Sequence, residues 1–402
     1  MSACDVLVVG GGPAGSTTAR LLALRGWKVR LLDRARFPRA KACGECLNPG
    51  AVAALDRLGV LEDVLALGPA PLAGWAVAAS PGSAGGPAPV ARGRFPSGQG
   101  GLALDRARLD HALLDAARRA GVEIREETRV LPGDSALHAA RVVVGADGLR
   151  SAVARSMSAY RRAPRIRKLS ITLHVEGIAL DAREGRIWLD AHGTVGLAPL
   201  DLAGRLWNAT VVADAPTHGR AVAGDPAAFA LARLAAVVAG PPTKPGEAPD
   251  AGPPPRLVAG PWTSGPFDWP ARRAVADGVV LVGDAAGYFD PLTGQGIFRA
   301  LRSAELAAAA IDTALRAGRA FRRDLAPYES ALRRELRAPL RVQHGVEAVI
   351  SRGPLRRAAI TLLGRRPRSM DVLIAVTGDL EPPRALLRPE LWTGPLTARR
   401  AS

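Results

Sequence analysis

Six residues, Gly10-Gly11-Gly12-Pro13-Ala14-Gly15, constrain this chain more than any others. They follow an apolar run, Val6–Val9, and open AGSTTARLLALRGW, where Ala19, Leu22 and Ala23 recur at helical spacing and Gly26 supplies the stop. A second apolar run, Val29–Leu32, comes next, so the first 32 residues read as strand, helix, strand. At that junction each glycine has a use. Gly10 permits a tight turn, Gly12 lets backbone approach a pyrophosphate, and Gly15 allows helix and strand to pack closely. The helix N-terminus, opened by Pro13 (which has no N–H of its own) and Ala14, presents free N–H groups and partial positive charge to phosphate. Asp33 ends the second run, where an acid accepts hydrogen bonds from a ribose.

Two later turns also end apolar runs. Val142–Val144 leads into Gly145-Ala146-Asp147-Gly148, with Ser151 close behind, and Val279–Val282 leads into Gly283-Asp284-Ala285-Ala286-Gly287. Continuous Val/Leu runs bounded by glycine are strands of a parallel sheet covered on both faces. Ligands of such sheets bind at the carboxyl ends of the strands, so the three turns converge on one crevice. Tyr288-Phe289-Asp290-Pro291-Leu292-Thr293-Gly294-Gln295-Gly296 then forms a loop whose small residues suit a planar ligand, and a long helix points its N-terminus back at it. Another helix, Asp105–Ala120, carries Leu109, Leu113, Ala116 and Ala117 on one face.

The middle of the chain alternates instead. Ser170–Val175 and parts of Arg186–Asp190, Thr194–Ala198 and Trp207–Val212 read as antiparallel strands with one solvated or ligand-facing side. Two Gly/Pro-rich stretches, Pro81–Gly101 and Gly240–Arg256, interrupt the pattern, and from Thr293 the chain is mainly helical. The expected class is α/β. A Rossmann-type cofactor domain occupies 1–72, 101–165 and 270–325, an inserted mixed or antiparallel-sheet substrate domain occupies 73–100 and 166–269, and a helical C-terminal region occupies 326–402.

Composition narrows the partners. With 48% hydrophobic and 23% charged residues in 402, a packed core is expected. No uncharged apolar stretch approaches the ~18 residues of a membrane span. The N-terminus lacks a basic signal region, so a cytoplasmic location is expected. The net charge of +17 is borne by arginine, since only Lys28, Lys41, Lys168 and Lys244 are lysines among 54 basic residues. Arginines cluster at Arg150–Arg167, Arg316–Arg341 and Arg352–Arg368 without zinc-finger spacing or an RNA-binding signature, so no nucleic-acid partner is expected. The basic helices Ala320–Val342 and Leu355–Arg368 could rest peripherally on an anionic membrane, face solvent or meet a subunit. Three cysteines cannot build a disulfide framework, and six scattered histidines suggest no metal site.

The ordered set of Gly10–Gly15 with Asp33, Arg106-x-x-Leu109-Asp110, Asp147-Gly148 and Gly283-Asp284 resembles the FAD-dependent oxidoreductases of the aromatic-hydroxylase fold. That superfamily includes geranylgeranyl reductases, squalene epoxidases and flavin halogenases. The resemblance implies FAD, with Gly10, Gly12, Gly15 and Asp33 at its ADP half. Asp33 is a mild departure, because the family's acid is more often glutamate. Further cofactor contacts are implied at Pro13, Ala14, Arg34, Lys41, Arg106 and Gly283, with Asp284 on the ribityl chain. Asp147 and Gly148 match the motif associated with FAD and nicotinamide. Pro291 would lie beside the isoalloxazine ring, and N–H groups at Gly294, Gly296 and Ile297 would face its pyrimidine end, where a helix N-terminus stabilises negative charge. A single G-x-G-x-x-G leaves NAD(P)H as a transient reductant.

The segment from Arg39 to Pro49 is similar to two relatives at once. Gly44-Glu45-x-Leu47-x-Pro49 is similar to the loop of halogenases and epoxidases, and Lys41-x-Cys43-Gly44 to that of prenyl reductases. Cys43, Glu45 and Cys46, with Pro291, Gly294 and Gln295, are therefore the catalytic candidates. Cys43-x-x-Cys46 is either a redox dithiol or a pair of small apolar fillers. The halogenase W-x-W-x-I-P motif is absent, and the aromatic-x-W-x-F-P strand of prenyl reductases is replaced by Gly193–Leu200. The expectation is an NAD(P)H-dependent monooxygenase acting on an aromatic or polyketide-like lipid phenol. The alternative is a geranylgeranyl-reductase-like reduction of isoprenoid double bonds, with a halogenase or an FAD-less binding protein behind it. Trp188, His192 and Trp207 are either pocket-lining groups or ordinary core and surface residues.

Overall fold

The computed structural model describes residues 4–79, 88–160, 167–238 and 254–393. Elements are numbered in chain order. One six-stranded sheet runs β15 (Val275–Ala276), β16 (Val279–Leu281), β9 (Ala140–Gly145), β1 (Cys4–Val9), β2 (Val29–Leu32), β8 (Glu123–Arg125). All its pairings are parallel except β15 with β16. The larger sheet runs β14 (Arg256–Ser264), β10 (Lys168–Glu176), β13 (Trp207–Asp214), β12 (Gly193–Pro199), β11 (Glu184–Asp190), β5 (Gly74–Ala79), β6 (Val90–Arg94). It is antiparallel but for β5 beside β11. A small sheet joins β3 (Cys46–Leu47), β7 (Gly101–Ala103) and β4 (Ala70–Leu72). The helices are α1 (Pro13–Ala23), α2 (Pro49–Arg57), α3 (Leu61–Leu65), α4 (Arg106–Arg119), α5 (Ala152–Ser156), α6 (Ala215–Gly224), α7 (Pro226–Val238), α8 (Gly296–Arg316), α9 (Arg322–Ile350), α10 (Gly353–Gly364), α11 (Pro367–Thr377) and α12 (Glu390–Thr393).

The parallel strands are apolar on both faces because both faces are covered. Val6, Val8, Val142, Val144, Val280 and Val282 pack with residues of α1 and α8. Their neighbours Leu7, Val9, Val143 and Leu281 pack the other way, with Val153 and Ala154 of α5. The larger sheet obeys the two-residue period of a strand. Ile171, Leu173, Val195, Trp207, Ala209 and Val211 share a core with Ala230 and Leu234 of α7. On the other face, Ala79, Ala91 and Leu189 pack with Ile360, Met370 and Ile374 of α10 and α11.

The structure refines several expectations. The Gly/Pro-rich stretch 81–101, read as punctuating the pattern, contains the edge strand β6. The helix expected over Leu355–Arg368 is two helices, since Pro367 lacks the N–H needed to continue α10 and starts α11 instead. The helix expected over Ala320–Val342 extends to Ile350 despite Pro327 and Pro339. Its first turns belong to the parallel-sheet core through Leu325, Tyr328 and Leu332, so α9 runs across the expected boundary at 325/326. The Gly240–Arg256 excursion, up to residue 253, and the arginines at 161–166 lie outside the described residues.

Candidate active site

The ends of β1, β9 and the strand leading to Gly283 are held side by side. Ala146 donates its N–H to the Val9 carbonyl (2.8 Å), and Val282 donates to Gly145 (2.9 Å). Gly10 adopts φ +105°, and a Cβ there would meet the Ala146 carbonyl oxygen at 2.5 Å. A Cβ on Gly15 would lie 1.8 Å from the Gly10 carbonyl oxygen, so α1 can approach the strand end only without a side chain. Gly283 N–H bonds to Ser303 Oγ (2.9 Å), and a Cβ on Gly283 would lie 2.9 Å from Ala14. The first and last turns therefore touch.

Around this junction the polar groups are few and aimed. Asp33, 6% exposed, accepts N–H bonds from Gly11 (2.7 Å) and Ala35 (2.8 Å). Arg34 is exposed. Lys41 pairs with Asp284 (3.9 Å), and its Nζ would lie 3.8 Å from a Cβ on Gly148. Asp147 Oδ2 accepts the Ala152 N–H (2.6 Å) while the buried Oδ1 has no hydrogen-bond partner among the described residues, and burial raises its pKa.

A second cluster fixes the loop after β2. Arg106 binds Asp110 through Nε and Nη2 (both 2.9 Å) and donates Nη1 to Cys43 Sγ (3.2 Å). Arg39 reaches the same carboxylate at 3.2 Å, with its guanidinium over the glycine turn, 3.6 Å from a Cβ placed on Gly12. Glu45, 2% exposed and at φ +57°, accepts Arg106 N–H (2.9 Å) and Asn208 Nδ2 (2.9 Å) and pairs with His174 (2.7 Å). Desolvation opposes protonation of His174, but the Glu45 bond outweighs it and raises its pKa. Asp105 joins them, bringing one potential ligand atom from each within 4.8 Å, a grouping the scattered histidines did not suggest. Glu45 thus braces the loop against β10 and β13 as a positioning residue, whereas Cys46 lines a cavity.

The Pro291–Gly296 loop closes that cavity. Gly294 N–H bonds to the Pro291 carbonyl (3.0 Å), and α8 starts at Gly296 with no side-chain cap. Its first N–H groups are free to bind outward. Cβ atoms on Gly294 or Gly296 would meet nothing within 4 Å, and Ile297 anchors the turn in a core. Gln295, 4% exposed, ties the loop to the C-terminal region: its Oε1 accepts from Thr293 Oγ1 (3.1 Å), and its Nε2 donates to Asp379 Oδ1 (2.7 Å), whose Oδ2 accepts Asn48 Nδ2 (2.7 Å). Arg299, one turn further, has buried Nε and Nη2 atoms without a partner among the described residues. The Arg39 guanidinium over Gly12, open space over Gly294 and Gly296, an Asp147 oxygen unpartnered among the described residues and an uncapped helix tip fit a long, phosphate-bearing, planar group such as FAD.

The sequence model described as "FAD binding domain" matches residues 3–215, just over half of the chain. The chain belongs to this FAD-binding family. This FAD-dependent oxidoreductase is 27% identical over 366 residues to a digeranylgeranylglycerophospholipid reductase of Methanothrix thermoacetophila, covering 83% of the chain and 84% of the relative. A segment of 58 residues, 14% of each chain, is 53% identical to a 6-methylpretetramide 4-monooxygenase of Streptomyces rimosus. Among solved structures, the flavoprotein superposes on a myxobacterial chondrochloren halogenase with a TM-score of 0.73 at 22% identity, covering all of this chain and 94% of that one. That likeness establishes the shared fold.

The cavity of this flavoprotein has a volume of about 520 Å³. Gly44, Cys46, Pro291 and Gly294 form one part of its wall. The rest lies between the larger sheet and the C-terminal helices, with Trp75, Ile187, Leu189 and Phe95 facing Ile350, Ile360, Leu363 and Ile374. Strand parity excludes two pocket candidates. Ile187 and Leu189 face the cavity, so Trp188 between them faces the α7 side; Asn208 lines it, so Trp207 is core. His192 sits in the β11–β12 turn, with its N–H on Asp190, and packs against His218. Arg39, Asn208, His174, Asp379 and Gln343, whose Nε2 donates to Gln295 Oε1 (3.4 Å), were missed because their partners lie far away in sequence.

Proposed function

We propose that this FAD-dependent oxidoreductase reduces carbon–carbon double bonds of an isoprenoid lipid, with NAD(P)H as transient reductant. The cavity carries the reading. Its deep wall is aliphatic and aromatic, suited to a chain without polar groups, whereas a phenol needs a partner for its hydroxyl. Most polar side chains near Pro291 are already engaged, although Asp290 Oδ2 has an ion pair but no hydrogen bond among the described residues. Asn208 and Thr210 donate to the Cys43 carbonyl (2.9 and 3.2 Å), and Lys168 pairs with Glu347 (2.7 Å) and Asp290 (3.5 Å). The digeranylgeranyl lipid named for the long-range relative supports the same substrate class.

FAD, when bound and reduced, supplies the electron pair. The protein orients the chain, excludes water and holds a proton at Cys46 Sγ. Burial pushes that thiol well up, and its S–H rests on the Gly44 carbonyl (3.0 Å). That electron pair and two protons, one of them from Cys46 and the other carried by the reduced FAD, saturate one double bond. The short segment shared with a monooxygenase favours a second reading, oxygen insertion into an aromatic ring. Anaerobic incubation of the FAD-loaded enzyme with NADH or NADPH and a geranylgeranyl lipid separates the two. A product heavier by two hydrogens per double bond is expected. Product that forms only with oxygen and gains an oxygen atom overturns the proposal.

A further inference from the structure

We propose that α10, together with the Pro383–Leu387 turn and Trp392, is a docking face for an anionic phospholipid bilayer. α10 is apolar on two sides. Ala359, Ile360 and Leu363 line the cavity, while Leu355 (49% exposed) and Leu362 (41% exposed) point outward with exposed Ala358 between them. A helix covering a core in water normally turns a polar face outward, so a second apolar face calls for a second apolar medium.

The neighbouring turn repeats the arrangement. Leu386 lines the cavity and Leu387 is 79% exposed. The Trp392 indole N–H donates to the Leu386 carbonyl (2.8 Å), and Ser369 of α11 donates to the Leu391 carbonyl (2.6 Å), fixing this tryptophan beside the turn. Trp392 is 40% exposed, as suits a ring at a headgroup boundary.

Charge decides the occupant. Residues 352–368 contain six arginines and no acidic residue, and Arg352, Arg365 and Arg368 are exposed, as is Arg384 beside the turn. Anionic headgroups complement this rim, whereas a second copy of a chain with net charge +17 would set like charges together. The cavity lies directly beneath α10, so a docked enzyme takes an apolar substrate from the bilayer. That delivery role rests on the isoprenoid reading; the docking itself does not.

Flotation of the full-length, FAD-loaded protein with vesicles tests it. Binding is expected to vesicles of phosphatidylcholine mixed with phosphatidylglycerol, to be weak with phosphatidylcholine alone, and to fall with salt. Leu355→Ser/Leu362→Ser should weaken binding on the order of tenfold, since two exposed anchors are lost. FAD content and turnover of detergent-dispersed substrate should be unchanged. Arg365→Gln/Arg368→Gln should weaken binding about thirtyfold at low salt and leave the apolar face intact. The proposal is overturned if the wild type binds neither vesicle, or if both variants bind as the wild type does. A dimer dissolved by the leucine variant, without vesicle binding, also overturns it and assigns the face to a second copy. Vesicle binding without isoprenoid reduction sustains the docking and removes the reductase reading.

Discussion

Asp110 is the residue whose replacement tests the site most severely. Its fully buried carboxylate takes two charge-assisted bonds from Arg106 and a third contact from Arg39, and neither cation pairs with another carboxylate among the described residues. Asp110→Asn keeps the shape and removes the charge, leaving the buried Arg106 guanidinium uncompensated. Breaking a buried pair from one side costs about 3–5 kcal/mol. Replacing both partners by apolar residues of similar volume, Arg106→Met/Asp110→Leu, should recover most of that loss, because no fully buried charge is left and Arg39, 20% exposed, can turn to water. Arg39 lies over the glycine turn, so bound FAD should offset part of the Asp110→Asn defect by returning negative charge. Denaturant unfolding with and without FAD measures each term. The reasoning fails if Asp110→Asn costs under about 1 kcal/mol in the FAD-free protein, or if the double variant is worse than the single one.

Three further outcomes follow from the same geometry. Burial pushes the Asp379 carboxyl up to about 6 against the donations from Asn48 and Gln295, so the folded state favours its proton. Its stabilisation is complete below about pH 4 and is lost as pH rises through about 6, so Asp379→Asn should gain on the wild type by up to about 3 kcal/mol between pH 4 and 7; a pH-independent difference in melting temperature refutes this. Gly196 lines the cavity and a Cβ there meets only the Thr210 carbonyl oxygen at 3.8 Å, so Gly196→Val should fold normally, suit the strand and raise KM for a long substrate with little loss of stability. Cys46→Ala should lower turnover by about a hundredfold with FAD content unchanged, as read by single-turnover absorbance, whereas equal turnover would assign the proton to water.

The parallel core was legible in the sequence because its signals are local. A strand apolar on both faces, a glycine where a Cβ would lie 1.8 Å from backbone, and an acid at the next strand end all occur within the first 33 residues. The same holds for Gly283-Asp284 and Asp147-Gly148, whose turns end strands that the register brings together. Glu45 looked catalytic by its place in a loop motif. Only the folded chain sets Arg106, Asn208 and His174 around it, from positions 61, 163 and 129 residues away.

The cavity was beyond sequence reading for the same reason. Trp188 and Trp207 were attractive as large aromatics on pocket strands, but the face a strand side chain takes is decided by its registered neighbours, and parity gives the wall to Ile187, Leu189 and Asn208. The C-terminal helices looked basic and separate. In the structure Ile360, Met370 and Ile374 roof the sheet and make the cavity apolar. The amino-acid sequence by itself determined that a nucleotide-bearing cofactor meets the carboxyl ends of parallel strands, since turn sterics and helix polarity act over a few residues. Tertiary structure alone decided what lies opposite that cofactor, since a pocket wall is built from residues hundreds of positions apart that become neighbours only when both faces of a sheet are covered.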